Sequence, residues 1–285
     1  MVIKQLGKWK LYALETGDFR LDGGAMMGSV PKVLWEKTNP SDNLNRIDLA
    51  LRCLLLDDGN NKILIETGMG DKLDDKFKKM FHVIQEEKPI NYELDKIGCD
   101  IRDITHVILT HLHFDHAGGA TTIDIDGRIV PTFPNAKYYI SSSNWEAGLN
   151  PSPRDKASYL QENYLPLYEN GCLNIVPENT KILDNISTIV VNGHTFGQQL
   201  VKIDCGEEAL IFCADLIPLK SHLQLPWIMG YDLNAVKTLE EKTKFLKESS
   251  DNNWWLWLYH DPQVVAVKIK ASDKYYDVID EVRRV

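Results

Sequence analysis

The stretch ILTHLHFDHAGG, Ile108 to Gly119, places His111, His113, Asp115 and His116 within six positions directly after an apolar run. On extended backbone alternate residues point the same way, so His111 and His113 stand side by side. Asp115 and His116 are adjacent and diverge, and so address a second point. Imidazole and carboxylate suit zinc, manganese, iron or cobalt. HxHxDH can therefore serve two ions a few ångströms apart. The competing reading is a solvated turn that happens to hold histidines. Only eight histidines occur in 285 residues, which makes three in six positions hard to reach by composition alone. Gly118-Gly119 is expected to let the chain turn sharply beneath the cluster.

Two ions would be under-liganded by this segment, and three other stretches supply partners. VVNGHTFGQQLVKI puts His194 after an apolar strand, ALIFCADLIP puts Asp215 just past another, and WWLWLYHDP puts His260 past a third. Taken singly, these read equally as a turn residue, a helix cap and a strand terminus. Strand-end loops are nonetheless where a rigid scaffold presents site residues.

The order of elements agrees with a scaffold of strands. Lys8–Thr16 reads as a strand. Ile47–Leu56 and Lys62–Glu66 read as a hairpin across Asp57–Asn61. Asp71–Glu87 carries Phe77, Met80, Phe81 and Ile84 at helical spacing, with His82 on the same surface helix. Strands are expected at 106–110, 127–131 and 137–140. Ser141–Tyr168, punctuated by Pro151, Pro153 and Pro166, reads as two helical pieces. Further strands are expected at 182–183, 188–192, 200–203, 209–213, 254–259 and 264–269. Leu233–Lys247 reads as an amphipathic helix with Leu233, Val236, Leu239, Thr243 and Leu246 on one side. Lys274–Val282 reads as a closing helix. Several strands precede the helices in each half, which implies two packed sheets covered by helices rather than strict βαβ alternation.

Composition sets bounds. A length of 285 residues, 44% hydrophobic and 26% charged, fits a single soluble α/β domain. The formal charge of −9 argues against nucleic acid or an anionic membrane as partner. The N-terminal residues lack the apolar core of a signal peptide, and no run reaches the length of a membrane span, so a cytoplasmic protein is expected. The five cysteines, Cys53, Cys99, Cys172, Cys205 and Cys213, are widely spaced without a CxxC pair and read as reduced core thiols. His106 reads as a packed histidine, and Trp254, Trp255 and Trp257 as sheet cover. No GxSxG elbow or GxGxxG is present, and Gly68-Met69-Gly70 reads as a turn.

The order HxHxDH, GH, D, H resembles the metallo-beta-lactamase superfamily, over roughly Arg46 to Pro262. The resemblance implies an α/β (α+β) four-layer αββα sandwich with a two-metal site at one edge of the sheets. By position, His111, His113 and His194 would hold one ion, and Asp115, His116 and His260 the other, with Asp215 bridging. Two divalent ions are implied, zinc first, with manganese, iron or cobalt compatible. A two-zinc β-lactamase would carry cysteine where Asp215 stands, and the di-iron redox branch would carry glutamate in place of His113. Both branches are therefore disfavoured. Superfamily nucleases usually have an extra domain and a basic surface, which this acidic chain lacks.

Outside the ligands, Leu21–Lys37 (LDGGAMMGSVPKVLWEK), HLHFDHAGG and Asp215–Leu233 (DLIPLKSHLQLPWIMGYDL) resemble the N-acyl-homoserine lactone lactonase branch, the quorum-quenching enzymes. That branch implies an N-terminal loop over the site, here residues 17–45 of one 1–285 domain. The loop would offer Met26, Met27, Val30 and Leu34, which read equally as plain core. Methionine suits an adaptable apolar pocket. A homodimer is implied by the resemblance alone. The expected reaction is opening of a lactone ring, most closely an N-acyl-homoserine lactone, by a metal-bridging hydroxide. Asp115 would orient the nucleophile and return a proton to the leaving alkoxide.

Three departures stand out. The pattern GHTPGH of many members is here Gly193-His194-Thr195-Phe196-Gly197-Gln198. A tyrosine used by some lactonases three residues past the bridging aspartate is here Pro218, so a hydrogen bond to the lactone carbonyl would come from Tyr231 or His222. The usual DTG is Glu66-Thr67-Gly68, leaving Glu66 either to orient a ligand or to stand as a strand-end charge. The alternatives are a thioesterase of the glyoxalase II type, a phosphotriesterase of the same fold, and a non-catalytic metal-binding scaffold.

Overall fold

The computed structural model describes residues 2–284. Among these residues there are sixteen strands: β1 Val2–Leu6, β2 Trp9–Asp22, β3 Arg46–Asp57, β4 Lys62–Ile65, β5 His106–Ile108, β6 Thr121–Ile123, β7 Ile129–Pro131, β8 Lys137–Ser141, β9 Leu173–Val176, β10 Lys181–Leu183, β11 Ile186–Val191, β12 Gln198–Asp204, β13 Ala209–Phe212, β14 Trp255–Trp257, β15 Val264–Ala271 and β16 Tyr276–Arg283. The helices are α1 Gly23–Met27, α2 Lys32–Trp35, α3 Asp75–Met80, α4 Pro89–Asp95, α5 Phe114–Ala117, α6 Ser142–Leu149, α7 Leu165–Glu169 and α8 Ala235–Asp251, with short 3-10 turns between them.

The strands form two seven-stranded sheets, β1-β2-β3-β4-β5-β8-β9 and β10-β11-β12-β13-β14-β15-β16, and a small hairpin of β6 and β7. The αββα sandwich expected from the sequence is borne out. α4 packs on β2 and α6 on β8 and β9, outside the first sheet, while α8 packs on β15 of the second. The sheets are packed on both faces, since neighbours along one strand point to opposite sides and Leu54, Leu55, Ile108, Phe212, Leu256 and Trp257 are all fully buried. Parallel pairs occur where β4, β5, β8 and β9 run together and where β13 meets β14. The carboxyl ends of β5, β11, β13 and β14 lead into the histidines and aspartates picked out above.

The Asp57–Asn61 connection is the expected hairpin. The Asp58 carboxylate accepts from the backbone N–H of Asn60 and Asn61, and Gly59 takes φ 88°. The five cysteines are free thiols. His106 packs on Tyr139 and contacts the Thr105 hydroxyl at 2.8 Å. Among the described residues no helix is long and apolar enough to cross a membrane.

Four expectations are corrected. The segment 17–45 does not begin as a loop: β2 stays paired with β3 as far as Asp22↔Arg46, and only then do α1 and α2 follow. The helix read over Asp71–Glu87 is confined to Asp75–Met80. His82 turns into left-handed backbone at φ 48°, and Ile84 exchanges two backbone hydrogen bonds with Asp18, which pulls the chain onto the sheet edge. The closing helix at Lys274–Val282 is instead β16, paired antiparallel with β15. Its Tyr, Val and Ile residues favour a pleated surface, and their spacing fits either period. α8 exists, but it buries Thr238, Lys242, Phe245, Leu246 and Ser249, whereas Val236 is 69% exposed and Leu239 39%. Its inward face is chosen by close approach: a β-carbon on Gly193 would lie 2.3 Å from the Thr238 hydroxyl.

Candidate metal centre

His111 and His113 follow β5, His113 on extended backbone, and Asp115 and His116 sit on the single turn of α5. His194 lies between β11 and β12, Asp215 in a 3-10 turn after β13, and His260 after β14. All seven are buried. The glycine pair works by close approach rather than by a sharp turn. A β-carbon on Gly118 would sit 2.2 Å from the Met69 carbonyl oxygen, and one on Gly119 2.2 Å from that of Thr67. The turn at Gly68–Gly70, with φ 70° and 72°, therefore packs directly beneath α5.

Two triads result. His111 Nε2 lies 3.1 Å from His113 Nδ1, which lies 3.3 Å from His194 Nε2. His260 Nε2 lies 3.3 Å from His116 Nε2 and 3.6 Å from Asp115 Oδ2. Two donors each about 2.1 Å from one ion at a tetrahedral angle stand about 3.4 Å apart, so both triads have the spacing of a ligand set. Asp215 lies between them. Its Oδ1 is 3.3 Å from both His116 Nε2 and His260 Nε2, and its Oδ2 is 3.3 Å from His194 Nε2. Oδ1 is buried without a hydrogen-bond partner.

The remaining ring nitrogens are mostly held by the fold. His111 Nδ1 meets the Thr110 hydroxyl at 3.0 Å, His194 Nδ1 meets Asp232 at 3.0 Å, and His260 Nδ1 meets the Ala50 carbonyl at 2.9 Å. His116 Nδ1 faces Glu66 Oε1 at 3.5 Å. Such contacts fix the tautomer and leave the inward nitrogen free to donate its lone pair. Glu66 is fully buried with φ 67°, strained backbone for a residue with a β-carbon, and its Oε1 also accepts from Thr110 N at 2.9 Å. It therefore supports His116 from the side facing away from Asp215.

The carboxylates set the charge of the pocket. Burial lowers His111 and His113 well below the ordinary histidine range, aided by neighbouring histidines. Burial would lower His116 and His194 too, but Asp215 and its acidic neighbours outweigh it and raise both. Burial would raise Asp215, yet His116, His260 and His194 hold it well below the usual carboxylate range. The pocket thus attracts positive charge, and its donors fit divalent cations.

Of the four residues expected to meet substrate, three are buried. Met26 and Met27 are 1% and 0% exposed within the core, and His222, 1% exposed, contacts the Met26 carbonyl at 3.0 Å. They fasten α1 to the 222–230 segment, where Gly230 N also donates to Ala25 O. Only Tyr231 is open, at 39% exposure.

The sequence did not single out Asp232, Asn144 or Tyr159. Asn144 Oδ1 accepts from Leu112 N at 2.9 Å and its Nδ2 donates to Phe196 O at 2.8 Å, which ties the HxH segment to the His194 loop. Tyr159 packs its ring 4.8 Å from that of His113 and shares a 2.6 Å hydrogen bond with Thr195. It also lines a cavity of about 670 Å³ with Leu149, Pro151, Lys156 and Leu160. None of these residues stands in a local pattern that signals its role.

The sequence pattern of the metallo-beta-lactamase superfamily matches residues 49–258. A protein of Mycobacterium tuberculosis named "Probable metallo-hydrolase" is 26% identical, covering 81% of this chain and 78% of its own. An N-acyl homoserine lactonase of Bacillus cereus is also 26% identical, covering 81% of this chain and 87% of its own. The crystal structure of a "probable metal-dependent hydrolase" from Staphylococcus aureus superposes with a TM-score of 0.90 at 28% identity, covering 99% of each chain. AidC, a dizinc quorum-quenching lactonase solved with a homoserine product, superposes at 0.81 and 22% identity over 99% of this chain and 97% of its own, and attests the fold.

Proposed function

This chain belongs to the metallo-beta-lactamase superfamily and is a metal-dependent hydrolase, and on that premise we propose that it opens lactone rings, N-acyl-homoserine lactones first, at a two-metal centre. The observation that carries the reading is the Asp215 carboxylate, whose two oxygens face two separate triads. His111, His113 and His194 would hold one cation, Asp115, His116 and His260 the other, and Asp215 both. Two bound divalent ions would supply Lewis acidity and a water acidic enough to attack a carbonyl at neutral pH, zinc being the first candidate.

The chain's own residues supply the rest. Asp115 Oδ2 faces His260 and His116, and its backbone carbonyl accepts from the Tyr259 hydroxyl at 2.5 Å, which fixes the carboxylate at the centre. From there it can hold the attacking water's proton and return it to the leaving alkoxide. Tyr231 stands next to Asp232, the partner of His194, and its phenol is pushed up to about 12 by burial, with Asp22 and Asp115 adding to the rise. It is thus protonated at neutral pH and able to donate to a substrate carbonyl in place of the tyrosine that Pro218 replaces. Curated relatives named N-acyl homoserine lactonase, covering four-fifths of this chain, support the choice of substrate.

The test is lactone hydrolysis followed by a pH indicator, with a short- and a long-chain N-acyl-homoserine lactone, before and after chelation and zinc restoration. Chelator-sensitive turnover with kcat/KM of about 10⁴–10⁸ M⁻¹s⁻¹ is expected. Negligible turnover by a metal-replete sample would move the substrate to thioesters or phosphotriesters.

A further inference from the structure

His260 reaches the centre from the second sheet, yet the first sheet holds it. β4 covers β3 only from Leu54 to Asp57, and an isolated bridge to Ser41 takes Ile47, so among the described residues no strand pairs with Ala50 and Arg52 on that edge. The free edge takes the His260 loop instead. Ala50 N donates to His260 O at 2.9 Å, Arg52 N donates to Tyr259 O at 3.3 Å, and Trp257 Nε1 donates to Arg52 O at 3.2 Å. His260 Nδ1 closes the set on Ala50 O.

The Arg52 side chain completes this docking. It is fully buried, and its Nη1 donates to three carbonyls of the same loop: Leu258 at 3.1 Å, Asp261 at 2.7 Å and Val264 at 3.0 Å. Those carbonyls bracket His260 on both sides. Nε pairs with Glu15 Oε1 at 2.5 Å on β2, and Glu15 Oε2 lies 3.3 Å from Arg284 Nε, which in turn holds Asp18. A buried charge is a poor way to gain stability, since apolar residues of like volume often serve as well. Here the guanidinium supplies direction: one rigid fork, aimed by Glu15, gathers the backbone on either side of one proposed ligand.

We propose that Arg52 is the positioning residue of the His260 side of the centre, setting how tightly the second cation is held without touching the first. The inference rests on the two-cation reading above. Cobalt(II) titration of the full chain, freed of metal by chelation, reads it through the visible absorption of each equivalent, with His260→Ala marking the loss of that side. Arg52→Lys keeps a charge but cannot span three carbonyls and Glu15 at once. In this variant the first equivalent should bind as in the unaltered chain. The second should weaken about 10- to 100-fold, as loss of an outer partner of a ligand does, and its absorption band should change shape. Two equivalents bound as tightly as in the unaltered chain, or both weakened alike, would overturn the assignment. If circular dichroism shows that Arg52→Lys does not fold, Glu15→Gln carries the test. It releases the anchor of the fork, and an unchanged second equivalent there would equally sink the proposal. An unaltered chain that binds a single equivalent would instead remove the two-cation premise.

Discussion

Asp232 Oδ1 sits 3.0 Å from His194 Nδ1, while the other nitrogen of the same ring points at Asp215 Oδ2, 3.3 Å away. One imidazole is therefore held between a carboxylate that aims it and a carboxylate at the centre. Backbone bonds from Leu233 N to His194 O and from Asn234 N to Gly193 O lock the same pair of loops together. Asp232→Asn should keep the loop contacts and lose the carboxylate. Metal retention against a chelator should fall about 10- to 100-fold, as expected when a ligand's outer partner is changed, with circular dichroism unaltered. Metal content after timed dialysis against chelator measures it, and full retention would show that the backbone bonds alone suffice.

Asp215 is the residue whose replacement should reach both triads. Asp215→Asn keeps the shape but removes the negative charge that His116, His194 and His260 face. Both cations should be held more weakly and lactone turnover should be lost. Metal analysis beside the pH-indicator assay gives the result, and full activity with two metals bound would count against the bridging role.

The seven proposed ligands were legible because each ends a strand or opens a turn, where sequence pattern and chain direction agree. The outer partners were not, because each reaches the centre through the third dimension. Asn144 lies on α6, and Arg52 reads as one position in the apolar strand ALRCLLL. Asp232, near the start of α8, looks like a helix-start residue, although the capping side chain is that of Asn234. Glu66 was noticed as an odd residue in a turn motif, and geometry resolves it as the neighbour of His116 Nδ1. The fold was read correctly in its layers and wrongly in its last element. β16 is a strand because β15 offers it an edge, which the spacing of Tyr276, Val278 and Val282 cannot reveal. Met26 and Met27, expected on a loop that meets substrate, lie on α1 and pack the core.

Tyr231 tests the substrate reading most directly. Its side chain is the exposed one of the four first expected to contact substrate. If the phenol donates to a developing oxyanion, Tyr231→Phe should lower kcat roughly 100-fold, within the loss seen when one such donor is removed, and leave KM within a factor of about 2. Metal content should not change. Unchanged kcat would send the oxyanion partner elsewhere, and a rise in KM alone would make Tyr231 a binding residue only.

Lys242 gives the chain a pH signature separable from the centre. It lies on α8, fully buried, and its ammonium nitrogen donates to the Gln224 and Trp227 carbonyls at 2.8 and 2.6 Å, pinning the segment that precedes Tyr231. Burial lowers its pKa to about 7, with Asp232 opposing the fall. An unfolded lysine titrates near about 10.4. Between these values the unfolded chain binds a proton that the folded chain does not, so this lysine makes stability rise with pH over that window, by up to about 1.4 kcal/mol per pH unit. Below about pH 7 both states are protonated and its contribution levels off at its least favourable value. Lys242→Met removes this titration. Denaturant unfolding of the metal-free chain from pH 6 to 10 should therefore show a gap between the variant and the unaltered chain. That gap should shift in favour of the unaltered chain as pH rises through about 7 and onward. A gap that stays constant with pH would mean Lys242 is charged throughout, held by its two carbonyls.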